Sequence, residues 1–305
     1  MFPLLLLSLL TLLPTATLST TPRSLYLVKP EPISLRYHHG PLLTGNLTIN
    51  LLWYGLVPPS HISIVSDFLR SLSSPSPSPS PSPSVSTWWR TTSLYQNSST
   101  KFTLGSHVMD SDLSLGRSLT SADLTKLASR LSPHRNSIAI VLTGEDVLVE
   151  GFCMSRCGHH GSAPAGRHGR SHFAYIWVGN SVTQCPGECA WPFHQPIYGP
   201  QTPPLGAPNG DVGVDGMIIN LATLLAAAVT NPFGDGYFQG PANAPLEAVT
   251  ACTGIFGTGS YPGYPGQLLM DPTTRASFNA KGLGGRKYLL PAMWDPKTAQ
   301  CTTLV

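Results

Sequence analysis

Apolar positions change their spacing several times along this chain, and each change marks an element. Residues 47–54, LTINLLWY, are rich in apolar and β-prone residues in rough alternation, and Gly55 follows, which predicts a first strand. Ile62, Val65, Phe68, Leu69 and Leu72 then recur at steps of three and four, the spacing of one helix face, and predict a helix over 60–72. A strand over 100–108 follows. Thr120 with Asp123 opens a helix to Leu131, which Pro133 stops. The run SIAIVL at 137–142 suits a strand buried on both faces, and Phe173, Tyr175 and Trp177 alternate as another. The longest apolar run after the first strand, 216–229, is apolar or small all round and predicts a buried core helix, with Asp215 as its cap and Pro232 beyond its end.

Strands and helices in alternation predict an α/β fold: a single layered domain with a central mixed sheet, a buried core helix and long Pro/Gly-rich loops. The passages between elements are informative too. The repeat SPSPSPSPSPS at 74–84 can bury no apolar area and predicts a solvated loop leaning to polyproline II. Trp88 and Trp89 return the chain to the core after it. Residues 152–162, FCMSRCGHHGS, are expected to form a Cys- and His-containing loop.

The N-terminus, MFPLLLLSLLTLLPTATLS, has a short apolar run followed by small residues and predicts a secretory signal peptide over 1–20. An extended arm over 21–45 and a domain over 46–305 would follow. The run 217–229 falls short of the roughly 18 residues that a spanning helix needs, so no membrane span is expected. The composition agrees with export. Only 11% of the 305 residues are charged, and the formal charge of +3 is carried without any Lys/Arg run, which sets nucleic acid aside as a partner.

Cys153, Cys157, Cys185, Cys189, Cys252 and Cys301 form an even set, expected to be oxidised in an exported chain. Sequence leaves the pairing open. Cys153 with Cys157, Cys185 with Cys189 and Cys252 with Cys301 is preferred because each close pair brackets a turn; the competing reading is a zinc site that uses nearby histidines. Asn46 and Asn97 head glycosylation sequons.

Candidate chemistry gathers in 182–241. A Cys-framed loop holding Trp191, Phe193, His194 and Tyr198 runs into Asp211 and Asp215 and then into the core helix. These four aromatic and imidazole side chains are the candidate binding residues. Catalytic residues, cofactor and metal are expected to be absent: no G-x-S-x-G elbow occurs, and no thiol is left if all six cysteines pair. The acids Glu145, Asp146, Glu150, Glu188, Asp211, Asp215 and Glu247 leave a carboxylate-based hydrolase open. The core helix followed by Thr-Asn-Pro is also similar to the site helix of zinc peptidases. Thr223 and Leu224 stand where that family's His-Glu would fall, so the expectation there is a degenerate zincin-like fold.

The blocks FCMSRCG, FAYIWVGNS, TQCPGECAWPFHQPIYGPQTPPL, APNGDVGVDGMIINLATLLA, TNPFGDGYFQGP, APLEAVTACTGIFG, YPGYPG and GRKYLLPAMWDPKTAQCTTLV run in order to the C-terminus. Together they resemble the EXORDIUM, or phosphate-induced protein 1, family of plants. The resemblance implies a secreted, apoplastic regulator of cell expansion and brassinosteroid-linked growth, and it brings no established catalytic residues. The partners it suggests are a cell-wall carbohydrate, an extracellular peptide or a receptor.

Overall fold

The computed structural model describes residues 32–74, 83–95, 99–165 and 171–305. The expected signal peptide, residues 21–31 of the arm, repeat positions 75–82 and Asn97 lie outside the described residues; Asn46 is exposed at the start of the first strand. Ile33–Val305 forms one compact unit.

The apolar alternation at 47–54 becomes β1 (Gly45–Tyr54), which leads into α1 (Pro59–Leu72). After α2 (Val85–Trp89) come β2 (Thr100–Asp110), α3 (Ser121–Ser129) and β3 (Ser137–Thr143). Then β4 (Gly158–Ala165), β5 (Ser171–Gly179), the single turn α4 (Pro186–Cys189) and α5 (Val212–Thr230) complete the framework. The central sheet has the order β2-β1-β3-β5-β4. Its first four members are parallel and the edge strand β4 is antiparallel, so the sheet is mixed.

Period-2 alternation sends successive side chains to opposite faces of this sheet. Ile49, Leu51 and Trp53 of β1 meet α1 and α5 in one core, while Leu52 and Tyr54 meet Leu124 and Leu127 of α3 in the other. Every residue of β3 is buried, as a parallel strand covered on both faces requires. Trp88 and Trp89 are buried, and their indole N–H groups donate to the carbonyls of Pro291 (2.7 Å) and Thr100 (2.9 Å). They anchor the chain after the Ser-Pro repeat.

Three expectations need correction. The stretch around His159 and His160 is the edge strand β4, not a loop; its polar pattern hides this because β5 supplies the pairing, with His160 opposite Ile176. The core helix starts at Val212, and its cap is Asp211, whose carboxylate accepts from Val214 N at 3.0 Å, and not Asp215. Asp215 instead lies buried in the first turn and accepts from the backbone (2.8 Å) and side-chain (2.6 Å) N–H groups of Asn209. Replacing Asp211 by Ala removes the cap and should cost about 1–2 kcal/mol, measured by urea denaturation.

The third correction concerns the cysteines. Cys252 pairs with Cys301 as expected, but the other bonds are Cys153–Cys185 and Cys157–Cys189. Cys185 and Cys189 bracket a helical turn, with Cys189 N donating to Cys185 O at 3.0 Å. Cβ atoms four apart on a helix stand about 5–6 Å from each other, whereas a disulfide needs about 3.5–4.5 Å. Both sulfurs therefore point sideways, to the loop that carries Cys153 and Cys157.

At 19 residues α5 is long and apolar enough to cross a membrane by length and composition, yet it is mostly buried in the protein core. Leu221 and Leu225 pack toward the sheet, and Ile219 faces a smaller cluster with Phe193, Phe256 and Leu289. Thr223 donates its hydroxyl to Ile219 O within the helix at 2.8 Å, and nothing in the arrangement supports a zincin-like layout.

Candidate functional site

The loop after α4 is held against α5 from below. A Cβ on Gly216 would come within 2.8 Å of the Ala190 Cβ, so only glycine lets the loop approach so closely. Asn220 donates to Cys189 O at 2.9 Å, and Phe193, 3% exposed, plugs into the small apolar cluster beside α5. With Phe193 turned inward, Trp191 is half-buried at the surface, its ring 5.8 Å from that of Phe256.

Trp191, His194 and Leu205 from this loop join Tyr261, Tyr264 and Leu268 around a groove of about 380 Å³. The two tyrosines are fixed by reciprocal backbone hydrogen bonds (3.0 and 2.8 Å), with ring centroids 5.0 Å apart. Thr202 Oγ1 donates to Gly263 O at 2.9 Å and ties the two loops together. His194 bonds through Nδ1 to Gln195 O at 2.9 Å; a carbonyl only accepts, so Nδ1 carries a proton. Trp191 also lines a neighbouring cleft of about 390 Å³, where Arg156, Glu188, Asn220, Thr223, Thr250 and Thr253 present charged, amide and hydroxyl groups. An aromatic groove thus continues into a polar cleft across one indole.

Of the four candidate binding residues, the structure brings Trp191 and His194 into this groove. Phe193 is a packing residue beneath it, and Tyr198, 87% exposed, is not among the groove residues. Tyr261 and Tyr264 of YPGYPG also line the groove, an aromatic-Pro-Gly repeat that presents its rings on a tight turn.

Two further groups of titratable residues stand out. His160 Nε2 lies 2.9 Å from a Glu247 carboxylate oxygen, and Asn231 Nδ2 donates to Glu247 at 2.7 Å, all largely buried. Neither His160 nor Glu247 lines the groove or the cleft; the network ties the edge strand β4 to the chain beyond α5. Beside it, burial and the neighbouring Arg156 and His160 push the His159 imidazole down to about 4. Burial pushes Asp215 up to about 7 despite its Asn209 hydrogen bonds. Among the described residues no group of three or more His, Cys, Asp or Glu is placed to hold a metal ion.

Residues 35–304 match the model of the phosphate-induced protein 1 conserved region. The chain belongs to that family. Protein EXORDIUM-like 2 of Arabidopsis thaliana is 58% identical over 281 residues, covering 92% of each chain. Protein EXORDIUM of the same plant is 55% identical over 300 residues, covering 94% of this chain and 95% of its own. Protein PHOSPHATE-INDUCED 1 of Nicotiana tabacum is 55% identical over 284 residues, covering 91% and 90%. No solved structure matches the chain. The groove and the cleft both fall within the span matched to the phosphate-induced protein 1 family.

Proposed function

We propose that this member of the EXORDIUM family is a secreted, apoplastic regulator of cell expansion and brassinosteroid-linked growth that acts by binding, and that the Trp191 groove takes a cell-wall glycan. The observation that carries the reading is the half-buried indole of Trp191 beside Tyr261 and Tyr264, opening into a cleft of hydroxyls, an amide and two charges. Aromatic faces stack on the C–H faces of sugar rings, and the polar cleft offers partners for their hydroxyls. A peptide or a receptor loop is the other class of partner that such a groove suits. Three disulfides and a low share of charged residues are consistent with an extracellular setting.

The test is a glycan and peptide array probed with the secreted form of the chain and with a Trp191→Ala/His194→Ala variant. His194 is exposed and Trp191 half-buried, so the variant should keep the fold, which circular dichroism checks. The expected result is glycan binding by the wild type, at least tenfold weaker in the variant. Equal binding by both proteins would remove the groove as the site, and product release from wall polysaccharide would favour a hydrolase instead.

A further inference from the structure

A second crevice, sharing no lining residue with the Trp191 groove, lies where the parallel strands end. The chain runs from β1 outward to β2 and then crosses back to β3 on the other side of β1, so the order reverses between β1 and β3. In open α/β sheets the carboxyl ends of the two strands at such a reversal splay apart and leave a crevice. Here the crevice measures about 610 Å³. Leu56 and Val57 follow β1, Glu145 follows β3 and Asn180 follows β5, while His61 on α1 and the α5 cap Asp211 face them from the helices.

The walls are fixed by bonds between the strand ends. Gly144 N donates to Tyr54 O at 2.8 Å, and Leu56 N donates to the Asp146 carboxylate at 3.0 Å. A Cβ on Gly144 would stand 2.5 Å from Leu56 O, so glycine permits this contact. His61, 7% exposed, is held through Nε2 by Asp211 at 2.7 Å. The Asn180 Oδ1 accepts from Val182 N at 3.1 Å, while its amide nitrogen has no partner among the described residues. The Glu145 carboxylate likewise has none, since only its backbone carbonyl is engaged, by Thr183 and Gln184.

The lining is selective in its chemistry. Two carboxylates without any Lys or Arg disfavour an anion. The amide nitrogen of Asn180 needs an acceptor and the Glu145 carboxylate needs donors, a demand that hydroxyl groups meet in both senses. Val57, Pro58, Val182 and Val212 provide apolar surface for C–H groups. We infer that the crevice at the carboxyl ends of β1, β3 and β5 is a second ligand site, taking a small neutral polyhydroxylated ligand, a free sugar of one or two rings. It does not rest on the Trp191 groove.

Saturation-transfer NMR with D-glucose, D-galactose, D-xylose and L-arabinose tests this, with D-galacturonate as the anionic control. The variants are Glu145→Ala, which removes an exposed carboxylate, and Leu56→Trp, which fills the mouth from a residue 64% exposed; neither side chain supports the core. At least one neutral sugar should give transfer that drops at least fivefold in both variants, persists in Trp191→Ala and is weak for galacturonate. Absence of transfer from all four neutral sugars, equal transfer in wild type and both variants, or loss confined to Trp191→Ala would each overturn the assignment. The last outcome would move the sugar to the groove, so the two sites fail separately.

Discussion

Removing both cross-links between the 152–157 loop and α4 should lower stability by about 6 kcal/mol, whereas removing either one alone should cost only about 2–3 kcal/mol. The reason lies in the connectivity. Cys153–Cys185 and Cys157–Cys189 each span 32 residues and run side by side, so either bond alone closes nearly the same loop. The entropy of closing a loop of that length is gained once, and the second bond adds only a small ring. Cys153→Ala/Cys185→Ala should therefore leave one intact disulfide, no free thiol at Cys157 or Cys189, and the smaller part of the loss in urea midpoint; the quadruple Ala variant should show the full loss. Local pairing within each C-x3-C would instead leave two free thiols in the double variant. The Cys252–Cys301 bond closes a separate span of 49 residues and has no such substitute, so its removal should cost about 4 kcal/mol by itself.

The second large effect is a pH dependence seated at Asp215. Burial raises this carboxyl from 3.8 to about 7. The folded chain therefore keeps a proton that the unfolded chain gives up between about pH 4 and 7, and stability from this group falls as pH rises through that window. The full difference corresponds to roughly 4 kcal/mol. His159 acts in the opposite direction: held near 4 by burial, it stays neutral when folded, so its contribution is lost as pH falls from 6.5 toward 4. Asp211, Asp110 and Asp123, held below the usual carboxylate range, add stability that is lost only at more acid pH. Asp215 is thus read by difference. Relative to wild type, Asp215→Asn should gain roughly 4 kcal/mol between pH 4 and 7.5, on top of a constant offset for its altered bond to Asn209. Parallel profiles for the two proteins would show that Asp215 is already ionised in the fold.

The fold was legible where burial alone decides structure. The apolar run of β3, the 3-4 spacing of α1 and the all-round apolarity of α5 each encode an element that has no other way to leave water. It was not legible where a partner decides. Residues 158–165 form a strand only because β5 offers its edge, and the cysteines pair across because a helical turn holds Cys185 and Cys189 too far apart. The start of α5 was misplaced by one turn because two aspartates four residues apart, Asp211 and Asp215, both have the chemistry of a cap.

The candidate site divides in the same way. Trp191 and His194 could be picked out as an aromatic and a polar side chain in a loop too apolar to float free. Phe193 could not be told from them by type, since its inward direction follows from the cluster of Ile219, Phe256 and Leu289 that receives it. Tyr261 and Tyr264 join the groove from some 70 residues further along the chain, a distance in sequence that only folding closes. The crevice at the strand ends has the same character. Glu145 is one candidate acid among seven in the sequence until the reversal of strand order places His61, Asn180 and Asp211 around it.

The groove reading is tested most directly at the indole itself. The chain has six tryptophans, and Trp53, Trp88, Trp89, Trp177 and Trp294 are buried, which leaves Trp191 as the half-buried one, and it lines the groove. Labelled with 5-fluorotryptophan, the protein should give six fluorine resonances, and Trp191→Phe identifies the one that belongs to Trp191. On titration with cello-oligosaccharide and xylan-oligosaccharide fragments, that resonance alone should shift and saturate. A fragment that binds, by calorimetry, while the Trp191 resonance stays in place would contradict the groove as the binding site.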